Sequence, residues 1–446
     1  MKIKIQKGHD IRISGVPTGT VNILATFTQV GLVPDDFRSI KPKLLVKAGD
    51  KVMAGSGLFF DKNLPQVVYP SPAGGTIQDI IFGERRKIRK IIIAIDKDEK
   101  FQRTEPLNPD NSTREEIIDF ILKANLWPLI TQRPFGKTAD PADRPKAIFI
   151  SGLDTTPLAI DPFRALEGRE DEFKAGLRVL TKLTAGNVNL SVGSEARAAE
   201  YDDINGLVTH IITGPHPAGN IGIQIHHIDP INPGQVVWTI QPQQVATLGK
   251  LFTTGEFDPT VVIAVGGPAV TNPGYIKTRI GAPIAELIKA NIDTDARRVI
   301  VGDVLTGRLA DDNDYLGFYH RAVTILPVSN ERPFLGWARI GSSSRQYTLT
   351  NAYLKTGRKL FNFSSKRNGA ERAIVPIEAW EAVLPMDIMP NPLFRSILAN
   401  DVEEMEKLGI LECDPDDFAL ATFACPSKIE LAAVIRLGLE LMEKEV

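Results

Sequence analysis

The stretch Leu207–Pro230, LVTHIITGPHPAGNIGIQIHHIDP, holds four of the six histidines in the chain together with a dense turn signal. Two runs of β-type residues, Leu207–Thr213 and Ile221–Ile225, flank the loop 214–220. In that loop two prolines restrict φ and two glycines permit positive φ. We therefore predict a strand, a stiff loop that holds the imidazole of His216 outward, and a second strand.

Three interpretations of the clustered histidines stay open at this point. They are structural side chains bonded to backbone, the wall of a small-ligand pocket, or metal ligands. Alternation along the second predicted strand places His226 on the polar face and His227 on the apolar face. A metal site is disfavoured because no Asp or Glu accompanies the histidines at helical ligand spacing, and Asp229 precedes Pro230 in a turn.

Length and composition limit the class of protein. At 446 residues the chain exceeds one hydrophobic core, and about 150 residues per domain predicts three or four domains. A net charge of −2 without a long basic run argues against a nucleic-acid partner. The N-terminus, MKIKIQKGHDIRI, lacks the apolar core of a signal peptide, and the most apolar run, Val261–Val270, is too short to span a bilayer. With only Cys413 and Cys425 as thiols, we expect a cytoplasmic protein from a reducing compartment.

Residues 1–105 predict a β domain. The segments KPKLLVKAGDKV (41–52) and YPSPAGGTI (69–77) each place a glycine at a tight turn between short strands. This pattern resembles the barrel-sandwich fold of lipoyl and biotinyl carrier domains. Lys62 lies near the place where those carriers present a modified lysine, but the connecting hairpin is shorter than in carrier domains, so a solvated turn lysine is the favoured interpretation.

Residues 106–256 predict a Rossmann-like α/β domain. Thr113 and Glu116 form a capping box at the start of a helix. Strands alternate with helices along this segment, which favours an open sheet with its ligand edge at the strand ends. No G-x-G-x-x-G or P-loop motif occurs, so nucleotide binding is not expected. The predicted elements are strands Ala147–Ile150 and Val188–Val192, a helical stretch Asp161–Thr184 and a shorter one Ser194–Asp203.

Two further regions complete the predicted α/β multidomain chain. Residues 257–345 predict a β-grasp-like unit of the SLBB type, and residues 346–446 are mostly helical. The β-grasp elements are strands Val261–Val265, Arg298–Val301 and Ala322–Leu326 and a helix Ala282–Asn291. Ser427 and Glu430 predict a capping box for the last helix, whose polar stripe is Arg436, Glu440 and Glu443.

Motifs along nearly the whole chain resemble one family, the A subunits of the sodium-translocating NADH:quinone oxidoreductases. Beyond the barrel-sandwich start, they are Leu126-Trp127, Arg133-Pro134-Phe135, Ala147-Ile148-Phe149, DTTPLA (154–159), GPHPAG (214–219), GDVLTG (302–307) and ERAIVPI (371–377). The resemblance implies a peripheral subunit on the cytoplasmic face of a bacterial inner membrane. It implies a six-subunit complex that oxidises NADH, reduces ubiquinone and exports Na⁺, with five partner subunits, B to F. It also implies a domain order similar to that of the flavin subunit of respiratory complex I.

The chain departs from related proteins that carry iron–sulfur or flavin motifs, such as the C subunit of the Rnf complex. A cluster generally needs four thiolates, and Cys413 and Cys425 stand alone. The glycine-rich flavin loop is also absent. We therefore expect no cofactor on this chain, with NAD, flavins and the iron–sulfur cluster on partner subunits and ubiquinone as the substrate of the complex.

A quinone headgroup needs hydrogen-bond donors beside an apolar wall, and the histidine stretch offers both. We assign a quinone site to Gly214, His216, Pro217, Gly219, His226 and His227. Two alternatives remain: a purely structural or docking subunit with no quinone site, and a carrier protein modified at Lys62. No residue of the chain is assigned a catalytic or metal-binding role.

Overall fold

In a computed structural model, residues 1–23, 26–289, 292, 297–329, 334–335, 347, 349, 360–375 and 378–445 are described. The first strands do not join the β domain that follows them. Strand β1 (Lys2–Lys4) pairs in parallel with the sheet of the α/β region, and β2 (Val21–Ile23) pairs in parallel with the sheet of the β-grasp-like region. The sequence suggests that residues 1–105 form one unit, but the first 23 residues tie two other sheets together.

The barrel sandwich consists of two sheets, ordered β3-β9-β8-β5 and β4-β6-β7. Phe59, Tyr69 and Ile91 are fully buried between them, as expected for antiparallel sheets packed face to face. The turn that carries Lys62 is organised by buried Asp61, which accepts hydrogen bonds from the amides of Lys41 and Asn63 at 2.9 and 3.0 Å. The strands are β3 (Gln29–Leu32), β4 (Pro42–Leu44), β5 (Lys51–Val52), β6 (Gly57–Asp61), β7 (Val68–Pro70), β8 (Gly75–Phe82) and β9 (Ile88–Ile95).

The α/β region contains a seven-stranded sheet ordered β1-β14-β13-β12-β15-β10-β11. Strands β1, β14, β13, β12 and β15 run parallel, while β10 and β11 are antiparallel additions at one edge. The capping box of Thr113 and Glu116 is present at the start of the first helix. The elements are α1 (Arg114–Lys123), β10 (Thr131–Arg133), β11 (Lys137–Thr138), β12 (Ile148–Ser151), α2 (Pro162–Ala165), α3 (Glu170–Thr181), β13 (Val188–Val192), α4 (Glu195–Ala199), β14 (Leu207–Thr213), α5 (Ile221–Ile228), β15 (Val237–Thr239) and α6 (Pro242–Thr254).

The β-grasp-like region has a mixed six-stranded sheet ordered β19-β18-β20-β16-β17-β2. The predicted strands and the predicted helix are all present, although the helix is shorter than expected and Asn291 at its predicted end lies outside the described residues. The elements are β16 (Thr260–Gly266), β17 (Gly274–Arg279), α7 (Ile284–Ile288), β18 (Arg297–Val301), β19 (Arg308–Ala310) and β20 (Ala322–Pro327).

The C-terminal region contributes four described helices, which are α8 (Pro390–Ala399), α9 (Val402–Lys407), α10 (Pro415–Ala424) and α11 (Leu431–Glu445). Their core also takes in Ile5 and Ile11 from the N-terminal segment and Ile223 from α5. Pro376 and Ile377, the end of the motif at 371–377, lie outside the described residues. None of the helices in the described ranges is long and apolar enough to cross a membrane.

Three local predictions were wrong. Residues 221–228 form a helix rather than a strand. The helical stretch predicted from Asp161 to Thr184 is broken between α2 and α3, where Gly168 has a φ of 78°. The last helix begins at Leu431, because Lys428 has a left-handed φ of 60° and the Ser427 hydroxyl donates to the carbonyl of Ala373.

Candidate functional site

The loop 214–220 joins β14 to α5 and is packed closely against other backbone. A Cβ atom on Gly214 would lie 2.4 Å from the carbonyl oxygen of Ile5, and one on Gly219 would lie 2.6 Å from the amide nitrogen of Thr155. Both positions therefore exclude a side chain. The His216–Pro217 peptide bond is cis. The loop therefore packs inward, against Ile5 and Thr155.

His216 is buried, with 2% of its surface exposed, so the prediction of an outward imidazole was wrong. Its amide donates to Asp10 at 2.9 Å, and its Nδ1 lies 3.2 Å from the hydroxyl of Thr155. Its Nε2 is buried without a hydrogen-bond partner in the part of the chain that is described. Burial lowers the pKa of His216, against the opposing charges of Asp303 and Asp10. The ring is therefore neutral near pH 7 and has one nitrogen available.

His226 and His227 occupy the other end of α5, about 10 Å along the helix from the loop. The Nε2 atom of His226 accepts the amide hydrogen of Asp387 at 3.0 Å, which leaves Nδ1 to donate to Glu412 at 2.8 Å. His227 Nε2 donates to the carbonyl of Pro385 at 2.8 Å. Both histidines thus join α5 to the C-terminal region, and the structure does not bring them together with His216.

Helix α5 is buried on two sides, and this explains why its sequence suggests a strand. Ile225 belongs to a core with the sheet residues Phe149 and Val237, against which Ile221 and Ile228 also pack. Ile223 belongs instead to the core of the C-terminal helices. A helix with apolar residues on two faces shows isoleucine at every second position, which matches the period of a strand.

Asp417 in α10 packs against the start of α5. A Cβ on Gly222 would lie 1.9 Å from Asp417 Oδ2, so the carboxyl group occupies the space that the glycine leaves. Asp417 is 2% exposed, and its Oδ2 has no hydrogen-bond partner among the described residues. Burial raises the pKa of Asp417 to about 8. This carboxyl group is therefore largely protonated near pH 7.

Asp414, at the N-terminal end of α10, lies close to three guanidinium groups. Its Oδ2 lies 2.5 Å from Nη1 of Arg133, 3.1 Å from Nη1 of Arg38 and 3.7 Å from Nη2 of Arg436. Burial alone would raise the pKa of Asp414, but Arg133, Arg38 and Arg436 lower it below its usual range. Asn220, in the histidine loop, donates to the carbonyl of Asp416 at 3.0 Å. The loop and this cluster therefore flank the same turn.

A cleft of about 270 Å³ opens beside this cluster, where the barrel sandwich, the α/β region and α11 meet. Arg436 donates from Nη1 to the carbonyl of Phe135 at 3.1 Å, while its buried Nη2 has no hydrogen-bond partner among the described residues. None of the six residues assigned to quinone lines the cleft. The lining residues are Pro34, Asp35, Phe37, Arg38, Ser39, Ile40, Pro42, Lys87, Ile88, Phe135, Arg436, Leu439, Glu440 and Glu443.

Sequence reasoning missed most of this cleft. In the sequence, Arg133-Pro134-Phe135 stands out only as a motif and Arg436 only as part of a polar stripe. Asp414-Pro415 carries the signal of a helix start, since Asp414 caps α10 by accepting the amide of Asp416 at 3.1 Å. Nothing local to these segments shows that they converge.

The remaining candidates for chemistry are the two cysteines and possible metal ligands. Cys413 and Cys425 are both buried as free thiols, and burial raises the pKa of Cys413 well above its usual range. Across the described ranges, no group of three or more His, Cys, Asp and Glu residues could hold a metal ion.

Three sequence profiles match the chain. They are the NqrA N-terminal barrel-sandwich hybrid domain at residues 3–96, the NqrA second alpha/beta domain at residues 112–257 and the NQRA C-terminal domain, of the SLBB type, at residues 262–312. They confirm the predicted order of barrel-sandwich, α/β and SLBB-type regions. The outer limits of the four predicted domains stay predictions.

Curated relatives match over nearly the full length. The A subunit of the Na(+)-translocating NADH-quinone reductase of Rhodopirellula baltica is 38% identical over 99% of this chain and 98% of its own. The protein of the same name from Hahella chejuensis is 39% identical over 99% of this chain and 100% of its own. A solved NAD+-reducing [NiFe]-hydrogenase chain is 14% identical with a TM-score of 0.35 over 52% of each chain, which is too distant to support an argument.

Proposed function

Because the chain belongs to the family of A subunits of the Na(+)-translocating NADH-quinone reductases, and so to an oxidoreductase complex, we propose that it takes part in the ubiquinone-reducing step coupled to Na⁺ export. In this proposal it is a peripheral subunit on the cytoplasmic face of the bacterial inner membrane. Electrons from NADH arrive through flavins and an iron–sulfur cluster held by the partner subunits, B to F. This chain binds no cofactor and presents the quinone headgroup.

The cleft beside Asp414 is the observation that supports a quinone site on this chain. Its wall is half apolar, with Ile40, Ile88 and Leu439 among the lining side chains. Two of its charged groups are already paired, since Lys87 lies 2.6 Å from Asp35. Quinone carbonyl oxygens accept hydrogen bonds. The buried Nη2 of Arg436 lies 3.7 Å from Asp414 Oδ2 and has no hydrogen-bond partner among the described residues.

The predicted histidine site is proposed with fewer residues, because His226 and His227 are removed from it. His216 lies in the loop with Gly214, Pro217 and Gly219, and its buried Nε2 has no hydrogen-bond partner among the described residues. The hydrogen bonds of His226 and His227 to Glu412 and Pro385 support a structural role for these two residues instead, in which they join α5 to the C-terminal region.

Calorimetric titration of the purified chain with a soluble short-tailed ubiquinone tests the proposal. We expect saturable binding near one equivalent. Ile40→Trp, which fills the cleft, should weaken binding about tenfold or more, since a displaced headgroup loses its hydrogen bonds and its apolar wall. Ile23→Trp, at an exposed isoleucine outside this cleft, is the matched control and should bind as the wild type.

Two histidine variants separate the cleft from the loop. If His216→Ala abolishes binding while Ile40→Trp does not, the loop holds the quinone. His226→Ala should leave the affinity unchanged because both of its nitrogens have protein partners. A wild-type chain that is folded and binds no quinone would contradict the proposal.

That last outcome would favour the alternative, a structural subunit that docks partner proteins. The ion pairs of Asp414 with arginines from the barrel sandwich, the α/β region and α11 support the structural part of this alternative, because they hold the regions of the chain together. The alternative predicts that removing this chain dismantles the complex while quinone still binds to the other subunits.

A further inference from the structure

The hairpin formed by β8 and β9 has an exposed apolar end. In β8 the residues near Gly75 are buried, whereas Ile81 is 38% exposed and Phe82 is 48% exposed. The strand register shifts between Ile81 and Phe82, where Lys90 and Ile88 are the respective partners. The extra residue of this bulge is Arg89 in β9, so Ile81 and Phe82 still lie on opposite faces of β8, and both faces are open to solvent at this end.

The same end of the hairpin is basic. Residues 81–90, IFGERRKIRK, contain five basic residues and one acidic residue, although the whole chain has a net charge of −2. Nearer the base, Lys87 and Arg89 pair with Asp35, and Lys90 pairs with Asp314. At the tip, Arg85 and Arg86 are exposed and have no acidic partner within 4 Å in the described part of the chain, and Glu84 is the acid beside them.

We propose that this hairpin tip, Ile81–Arg86, is a docking surface for an anionic lipid bilayer. Guanidinium groups beside exposed aliphatic and aromatic side chains suit the boundary between lipid headgroups and acyl chains. A hairpin end is too small to bury the roughly 800 Å² per partner of a stable protein interface, but it is large enough to insert two side chains between headgroups.

The tip also lies next to the cleft, because Lys87 and Ile88 line it. Docking on a bilayer would therefore bring the mouth of the cleft close to the lipid phase. The lipid contact does not depend on the cleft binding quinone, and the two proposals have separate measurements.

Sedimentation with vesicles tests the docking surface. We expect the full chain to bind vesicles made of an equal mixture of phosphatidylcholine and phosphatidylglycerol. This binding should weaken as the salt concentration is raised. It should not bind vesicles of phosphatidylcholine alone. Arg85→Gln/Arg86→Gln should lower the partition coefficient about tenfold or more, since each arginine near an anionic surface contributes about a factor of five. Ile81→Ser/Phe82→Ser should lower it to a similar extent.

Two control variants match these changes in number and type. Lys47→Gln/Lys62→Gln removes two exposed charges of the same β domain, and Met389→Ser/Leu398→Ser removes two exposed apolar side chains near α8. Both should bind as the wild type, with all thermal midpoints unchanged. The proposal is overturned if the wild type does not bind anionic vesicles, or if the hairpin variants bind equally well. If the hairpin variants bind vesicles as well as the wild type does but fail to assemble with the partner subunits, the tip is a protein contact instead.

Discussion

Asp417 shows how one residue makes stability depend on pH. Its carboxyl group is enclosed between α10 and the start of α5, and burial raises its pKa to about 8, while an unfolded chain would have a value near 4. Between those two pH values the folded chain holds a proton that the unfolded chain releases. The contribution of this group to stability is therefore fully present below about pH 4 and is lost as the pH rises through 8.

Asp417→Asn should remove this dependence. Between pH 5 and pH 8 the free energy of unfolding of the wild type should fall relative to that of the variant, by at most about 1.4 kcal/mol per pH unit. Urea denaturation at a series of pH values measures the difference. Asp387→Asn, which removes an exposed carboxylate, is the control and should follow the wild-type profile. Identical profiles for the wild type and Asp417→Asn would show that the buried group does not titrate in this range.

At the scale of elements, several strands and helices could be predicted from the sequence, and α5 could not. Strands β13 and β14 have the predicted bounds, and α1 has its predicted cap, because their signals are local. The identity of α5 depends on the C-terminal helices that cover Ile223, which lie far away in sequence. The cleft could not be predicted for the same reason, because its arginines and Asp414 are brought together only by packing between regions.

Gly222→Ala tests how closely α5 packs on α10. An alanine in a helix normally gains up to about 1 kcal/mol over glycine, but here the new methyl group would overlap the Asp417 carboxyl group. We expect a net loss of about 1–3 kcal/mol in the free energy of unfolding. In an Asp417→Ala background the same change should cost little or should stabilise, as a double-mutant cycle would measure. Equal costs in both backgrounds would place the strain elsewhere.

At the scale of the whole molecule, Asp414 connects three regions through one carboxylate. The side chain is 1% exposed, whereas those of Arg38, Arg133 and Arg436 are 35%, 11% and 24% exposed. Removing the single buried partner of several charges generally costs more than the attraction itself, because the charges are left uncompensated.

Asp414→Ala should therefore destabilise the chain by about 3–5 kcal/mol, measured by urea denaturation. Asp414→Asn keeps a side-chain oxygen that can cap α10, so its loss should be smaller by about 1 kcal/mol. Labelling of the buried thiols Cys413 and Cys425 should accelerate in both variants as the C-terminal helices open. Wild-type stability in Asp414→Asn would mean that the three arginines are held by other contacts.

The pairing of β1 with β14 and of β2 with β17 has a consequence for synthesis on the ribosome. The nascent chain exposes residues 2–23 long before Leu207–Thr213 and Gly274–Arg279 leave the exit tunnel. The barrel sandwich can fold first, as N-terminal domains generally do, while the leading segment waits unpaired. In the finished protein the ammonium group of Met1 donates to the carbonyl of Thr209. An affinity tag fused before Met1 would thus disturb the pairing of β1 with β14.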